Sequence, residues 1–189
     1  MAHFELRLDD GSLMTRTDGS VMELRPSAYM ALVRNSSLVF HYDCRTPSTA
    51  QFFGGGVEIY VDPKSGRLTY EMPQTAARRE LKEEGGARSL SEVFVGNFAM
   101  LEPVFLFLST EWDLPSGDFV LQKDEVSRIL EVPISALLDP ETRAKWQVEF
   151  LRAQWCMVGW LMLHLQGQTK PVFERWYEHD PWEILDSLQ

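Results

Sequence analysis

Cysteine, positive charge and long apolar runs are all scarce in this chain of 189 residues. The two cysteines, Cys44 and Cys156, lie far apart, which excludes a disulfide framework and a zinc-binding cysteine motif. The longest apolar run, Trp155 to Leu163, has about half the residues that a membrane span requires. The N-terminal segment carries acidic residues where a signal peptide has an apolar run, so we predict no signal peptide and a cytoplasmic location.

The scarcity of positive charge excludes a broad nucleic-acid interface. Lys and Arg number 18 against 28 Asp and Glu, which gives a net charge of −10. Phosphate backbones are bound by clustered Lys and Arg, so we expect no nucleic-acid partner, and we expect no membrane partner either. An acidic protein that handles a phosphorylated small molecule would need metal ions between the two.

The hydrophobic fraction of 44% predicts one folded globular domain over 1–189. We divide it into an N-terminal hairpin extension (1–24), a core (25–138) and a C-terminal helical extension (139–189). Alternation and turn residues predict strands at 28–34, 38–43, 57–61, 67–70, 91–98, 103–109, 117–122 and 132–134. We predict helices at 73–84, where Pro73 suits the first turn and Gly85-Gly86 the end, and at 135–138 and 140–165. Trp146, Trp155 and Trp160 on the long last helix could stack a base, but we expect core packing or contacts in a homodimer for them.

Three carboxylates share one side of the predicted helix 73–84. Glu80, Glu83 and Glu84 follow the i, i+3, i+4 spacing, which places them on one arc of about 100°. Lys82 points away from this arc, and Arg79 at its edge can pair with Glu83 at most. Like charges at i, i+4 oppose helix formation by about 0.2–0.5 kcal/mol per pair. The alternatives are a solvated charged face and a binding site for a divalent cation, which prefers oxygen ligands.

The residues around this arc resemble the signature of the Nudix hydrolase family. That signature has a glycine, a glutamate, and then R-E-(apolar)-x-E-E-x-G-(apolar). The matching residues are Glu71, Arg79, Glu80, Leu81, Glu83, Glu84, Gly86 and Ala87. The resemblance is strongest over 54–87 and implies an α/β/α sandwich with a mixed sheet.

The glycine of the signature departs from the family pattern. It is expected six positions before Glu71, where this chain has Ser65, and Gly66 is one place off. We align Gly54-Gly55-Gly56 with the family's glycine opening and interpret 59–69 as an insertion in a hairpin turn, since longer turns cost little. The alignment leaves open which carbonyl of the glycine run approaches a metal; we take Gly55 as the candidate.

The resemblance implies a role for each matching side chain. Glu80 and Glu84 would bind Mg²⁺ or Mn²⁺, and Glu83 would be a ligand or would orient the attacking water. Arg79 and Glu71 would pair and hold the ligands in place. The family often adds a carboxylate from a later loop, for which Glu125 is the candidate.

Asp124 is the reserve candidate for that later carboxylate, and a solvated loop acid is the alternative. Bound metal would neutralise a diphosphate and lower the pKa of a water for in-line attack on phosphorus. Glu83, Glu84 or Glu125 would accept the proton of that water. His3, His41, His164 and His179 form no ligand spacing, so we expect packing or surface roles for them.

The resemblance implies a metal-dependent hydrolase that cleaves a nucleoside diphosphate derivative to a nucleoside monophosphate and a second phosphate ester. A proline sixteen residues past the signature is associated in the family with ADP-ribose-type substrates, and Pro103 stands at that offset from Ala87. It favours nucleotide sugars such as ADP-ribose. Two alternatives are a catalytically silent Nudix-fold module that binds nucleotides and a scaffold that assembles through its long last helix.

Overall fold

A computed structural model describes residues 26–61, 63–99, 103–168, 172–175 and 179–188. The predicted hairpin at 1–24 lies outside these residues. The strands are β1 (Ser27–Arg34), β2 (Ser37–Asp43), β3 (Ala50–Gln51), β4 (Phe53–Gly56), β5 (Ile59–Val61), β6 (Leu68–Tyr70), β7 (Arg88–Ala99), β8 (Pro103–Asp113), β9 (Val126–Pro133) and β10 (Val172–Arg175). The helices are α1 (Pro73–Gly85), α2 (Ile134–Leu138), α3 (Pro140–Gln147), α4 (Arg152–Leu165) and α5 (Pro181–Asp186).

Eight of these strands form one mixed sheet. Its order is β10-β7-β8-β1-β2-β3, with β4 also paired to β1 and β9 to β2. The pairs β1–β8 and β10–β7 are parallel and the other pairs are antiparallel. Strand β1 changes partner on one side, because Ser27–Met30 pair with β4 whereas Leu32–Arg34 pair with β2. The glycine run of β4 therefore lies beside the centre of the sheet.

Helices cover both faces of this sheet, which confirms the predicted α/β/α sandwich. One core contains the buried side chains of α1, Ala76, Ala77 and Leu81, together with Met30 and Phe53 from the strands. The other core lies under α4 and α5 and includes most of the buried aromatic side chains. Trp155 and Trp160 are buried there, and Trp146 packs at its margin, so the predicted core role of these tryptophans is confirmed.

Helix α1 begins and ends where its proline and glycines predict. Pro73 occupies its first turn, where the missing N–H is not needed. Gly86 follows it with φ of 65°, a left-handed conformation that glycine adopts without strain, and its N–H donates to Lys82 O at 3.0 Å. This end of the helix carries the glutamates of the signature.

The prediction of one long helix over 140–165 is wrong, because the segment divides into α3 and α4. Between them Phe150 forms an isolated parallel bridge with Ala50, and Ala50 N–H donates to Glu149 O at 2.6 Å. The backbone at 149–150 thus pairs with the edge of the sheet and cannot continue the helix. Leu151 has extended backbone angles, and α4 begins at the next residue.

The strand predicted at 117–122 is also absent from this described part of the chain. Its residues form a loop whose backbone binds the end of α1, since Val120 N–H donates to Gly85 O at 3.0 Å and Gln122 N–H to Glu84 O at 3.3 Å. Of the short strand predicted at 132–134, Val132 and Pro133 end the longer β9, whereas Ile134 begins α2.

The predicted insertion at 59–69 forms a hairpin, β5–β6, whose ends are joined by a hydrogen bond from Glu71 N–H to Glu58 O at 2.8 Å. Cys44 and Cys156 are not joined in a disulfide, and Cys156 is buried in the core under α4 and α5. Among the described helices, none has the length and apolar character needed to cross a bilayer.

Candidate active site

Arg79 is the centre of the polar contacts around α1. Its Nη2 donates to Glu71 Oε2 at 3.0 Å and to Gly56 O at 3.1 Å. Its Nη1 donates to Glu80 Oε1 at 2.8 Å and to Glu83 Oε2 at 3.2 Å. The prediction that Arg79 pairs with Glu83 at most is therefore wrong: the backbone of β4 brings the guanidinium across the helix. Although burial opposes it, the ion pairs with Glu71 and Glu80 raise the pKa of Arg79.

Glu71 holds the hairpin insertion against α1. Its side chain is almost fully buried, and Oε2 accepts from Glu58 N–H at 3.2 Å as well as from Arg79. The fork between Arg79 and Glu71 thus ties three segments together: β4 through Gly56, the hairpin through Glu58, and α1. This contact is the one that the sequence resemblance implies for the pair.

Glu84 is the most buried of the signature glutamates, with 4% of its surface exposed. Its Oε2 accepts from Gly54 N–H at 2.8 Å and lies 3.5 Å from His41 Nε2. Burial raises the pKa of Glu84 to about 8; the hydrogen bond from Gly54 opposes this, and the charges of Glu80, Glu125 and other acids add to it. A carboxylate held in this position favours a bound cation, which would restore its ionised form.

Glu80 lies against the glycine run. A Cβ on Gly55 would come within 2.7 Å of Glu80 Oε1, so only glycine leaves room for the carboxylate there. Burial raises the pKa of Glu80, the Arg79 charge opposes that rise, and Glu83 and Glu125 add to it. Glu80 is therefore held between a backbone segment, a cation and other carboxylates.

Glu125 reaches the same place from the loop that covers the end of α1. It directly precedes β9, and its carbonyl accepts from Cys44 N–H at 2.7 Å. Its charge raises the pKa values of both Glu80 and Glu84, so its carboxylate belongs to the same acidic cluster. Asp124, the reserve candidate, is exposed and is not among the main causes of either shift.

Sequence reasoning missed three residues at the end of β2. His41 is fully buried, as a packing role predicts, yet it faces Glu84 and stacks on Phe53 at 5.1 Å. Arg45 donates hydrogen bonds to both carboxylate oxygens of Asp43, at 2.7–3.1 Å. This contact is the main cause that raises the pKa of Arg45, and the charges of Glu125 and Glu84 raise it further. Alternation along a strand gave no clear signal for them, because β2 ends at Asp43, its register shifts between Tyr42 and Asp43, and Arg45 lies in the turn that follows.

The donor set at this cluster fits a hard divalent cation, because every candidate ligand is an oxygen. The space beside Gly55, which a Cβ at that position would fill, is consistent with close approach of a backbone carbonyl to that cation. Within the described residues, however, no three His, Cys, Asp or Glu side chains are arranged as a ready metal site. Arg79 contacts Glu80 Oε1 and Glu83 Oε2, so a cation would bind the second oxygen of each carboxylate or compete with Arg79 for the first.

The pKa of Glu84 predicts that the metal-free protein loses stability as the pH rises. Its folded pKa, about 8, lies above its ordinary value, so the unfolded chain releases that proton first and stability falls as the pH rises toward 8. His41 acts oppositely: burial lowers its pKa from 6.5 to about 4, so its effect is complete above pH 6.5. Between pH 6.5 and 8, only Glu84 of these two groups still changes the stability with pH. We expect the free energy of unfolding to fall by about 1–2 kcal/mol over this range.

Urea unfolding at several pH values, with a chelator present, measures this fall. Glu84→Gln removes the titrating group while keeping its shape, and we expect it to flatten the profile over this range. Equal slopes for the wild type and Glu84→Gln would contradict the assignment.

Three solved structures have a fold similar to that of this chain. A protein from Chromobacterium violaceum assigned to the Nudix hydrolase family has a TM-score of 0.53 at 16% identity, over 87% of this chain and 88% of its own. The fold is a Nudix fold. The E. coli ORF135 protein gives a TM-score of 0.54 at 15% identity, over 78% of this chain and 94% of its own.

An ADP compounds hydrolase gives a TM-score of 0.52 at 19% identity, over 87% of this chain and 84% of its own. Neither a protein-family model nor a curated protein sequence matches the chain. At these identities the structural likeness establishes the Nudix fold of this chain and leaves its chemistry to the residues of the site.

Proposed function

We propose that this protein is a metal-dependent hydrolase that cleaves the diphosphate linkage of a nucleoside diphosphate derivative. The products are a nucleoside monophosphate and a second phosphate ester, and the expected substrates are nucleotide sugars such as ADP-ribose. The observation that carries this proposal is the acidic cluster of Glu80, Glu84 and Glu125 at the end of α1, where burial and mutual repulsion raise the pKa values of Glu80 and Glu84. Carboxylates with such pKa values are typical of functional sites.

The roles follow from burial and exposure. Glu84 and Glu80, aided by the Gly55 carbonyl, would hold Mg²⁺ or Mn²⁺, and such an ion supplies charge neutralisation of the diphosphate and a water of lowered pKa. Glu83, which is half exposed, and Glu125 would complete the ligand set or accept a proton. Arg79 and Glu71 would hold β4 and the hairpin in position against α1.

Arg45 is the candidate for contact with a substrate phosphate. Its side chain is 73% exposed, yet Asp43 holds the guanidinium in one orientation beside the acidic cluster. A guanidinium held in this way can bind phosphate oxygens with little further loss of side-chain freedom. Location in the cytoplasm and assembly as a homodimer stay predictions from the sequence.

A catalytically silent nucleotide-binding module is the second candidate, and one observation favours it. Arg79 pairs with both Glu80 and Glu83 in the described structure, so its single positive charge offsets part of the repulsion within the arc without a cation. The two candidates differ in turnover, because a binder would retain nucleotide affinity without releasing products.

A substrate screen tests the proposal directly. The purified chain would be incubated with nucleotide sugars, dinucleoside polyphosphates and nucleoside triphosphates, with Mg²⁺, with Mn²⁺ or with EDTA. We expect nucleoside monophosphate from ADP-ribose-type substrates with metal and none with EDTA. Binding of these nucleotides without products under every metal condition would favour the silent module instead.

Gly55→Ala is expected to raise the Mg²⁺ concentration needed for half-maximal activity by about tenfold or more. The new methyl group would displace the Glu80 carboxylate, whose flexible end can move without unfolding the chain. We expect the midpoint of thermal unfolding to shift by less than about 4 °C, equivalent to ~1 kcal/mol. Thr75→Ala, at an exposed position on α1, is the control. An unchanged Mg²⁺ requirement in Gly55→Ala would exclude Glu80 from the metal site.

A further inference from the structure

A cleft of about 660 Å³ lies between α3, α4 and α5. Its lining residues Phe150, Trp155 and Trp182 belong to the core under α4 and α5, on the face of the sheet away from α1. None of the glutamates of the acidic cluster lines it. Its volume is within the range of small-molecule sites in proteins.

Flat apolar groups form much of the wall. The indole rings of Trp155 and Trp182 stack with centroids 4.6 Å apart, and Phe150 packs against Trp155 at 5.4 Å. Pro140 and Pro181 line the cleft beside them. Walls of this kind favour a planar ring, which gains contact area without losing conformational freedom.

The polar part of the wall is cationic, although the chain carries a net charge of −10. Arg143 lies over the Trp182 ring at 4.8 Å, and its Nη2 donates to Asp186 at 2.6 Å. Arg152 also lines the cleft. The acid among the lining residues, Asp180, accepts from Trp182 N–H at 2.9 Å as the cap of α5.

Two buried donors at this wall have no acceptor among the described residues: Arg143 Nη1 and Trp182 Nε1. Arg143 is 8% exposed, and both nitrogen atoms are shielded from bulk solvent. A buried N–H without a partner costs free energy, and a charged one costs more. Oxygen atoms of a ligand would supply the acceptors after a small side-chain shift of the kind that is common on binding.

We propose that this cleft is a binding site for a small aromatic oxyanion. Its ring packs against the edges of the two indoles and against Pro140 and Pro181, and its carboxylate or phosphate binds the Arg143 guanidinium. The proposal does not depend on the hydrolase function, because the cleft and the acidic cluster share no residue.

Calorimetry with phenyl phosphate tests the ligand class on the full chain. Inorganic phosphate supplies the charge without the ring, benzyl alcohol the ring without the charge, and benzoate a carboxylate in place of the phosphate. We expect phenyl phosphate or benzoate to bind at one site per chain and at least about tenfold more tightly than the two partial probes. If neither aromatic anion binds, or if inorganic phosphate binds as well as they do, the proposal is wrong.

Variants locate that binding in the cleft. Arg143→Met removes the donors, and Ala144→Phe fills the cleft from an exposed position that leaves the core intact. We expect each to weaken binding at least about tenfold, and Asp186→Asn, which keeps Arg143, to preserve it. Glu80→Gln serves to exclude the acidic cluster as the site. Binding that survives Ala144→Phe, or that Glu80→Gln abolishes, would overturn the proposal.

Discussion

Glu84→Gln is expected to lower kcat for diphosphate hydrolysis by about 10³-fold or more, equivalent to ~4 kcal/mol of transition-state stabilisation. The buried Glu84 carboxylate lies deepest in the acidic cluster and would be the ligand most completely removed from water. The substituted amide keeps the size of the side chain and an oxygen that accepts from Gly54 N–H, but it carries no charge for a cation. Initial rates with ADP-ribose at saturating Mg²⁺ measure the loss.

The control for this variant is Glu141→Gln, which removes the same charge from an exposed position on α3. We expect its rate to equal that of the wild type. Urea unfolding at pH 6.5 would show whether Glu84→Gln remains folded, and we expect a change in the free energy of unfolding below about 1 kcal/mol. A folded Glu84→Gln protein with full turnover would refute the metal assignment.

Arg79→Met is expected to reduce both stability and activity. It removes the fork to Glu71, whose side chain is almost fully buried, and leaves that carboxylate without its cation. Loss of one partner from a largely buried pair lowers the free energy of unfolding by several kcal/mol, and the partial exposure of Arg79 reduces our expectation to about 2–4 kcal/mol. Urea unfolding measures this, and hydrolysis rates should fall at least about 100-fold even below the unfolding temperature.

Lys82→Met is the matched control, because it removes a positive charge from an exposed position on the same helix. Arg79→Lys keeps the charge but cannot form the two-pronged contact, so we expect an intermediate loss of stability. If Arg79→Met unfolds at the same urea concentration as Lys82→Met, the fork does not support the site.

Local chemistry made α1 and its signature predictable. Pro73 and Gly86 mark its ends through their own backbone preferences, and the glutamate spacing follows from the helical repeat. The depth of Glu84 was not predictable in the same way. It depends on which side of α1 packs against Phe53 and Met30, residues that come from β4 and β1.

The wrong predictions have one physical cause, which is contact between residues distant in sequence. Phe150 interrupts the predicted helix because Ala50, one hundred residues earlier, pairs with it at the sheet edge. Val120 lies in a loop because its N–H binds the end of α1. His41, with Asp43 and Arg45 beyond it, joins the acidic cluster only because β2 passes beneath Glu84. Sequence periodicity carries no information about such pairings.

The proposed function requires the acidic cluster at the end of α1 to hold a divalent cation together with a diphosphate. Crystals grown with α,β-methylene-ADP, a diphosphate that resists cleavage, and soaked in Mn²⁺ test it most directly through anomalous scattering. We expect a manganese peak within about 2.5 Å of carboxylate oxygens of Glu80 and Glu84, with the diphosphate beside it. A bound diphosphate with no manganese peak at these side chains would contradict it.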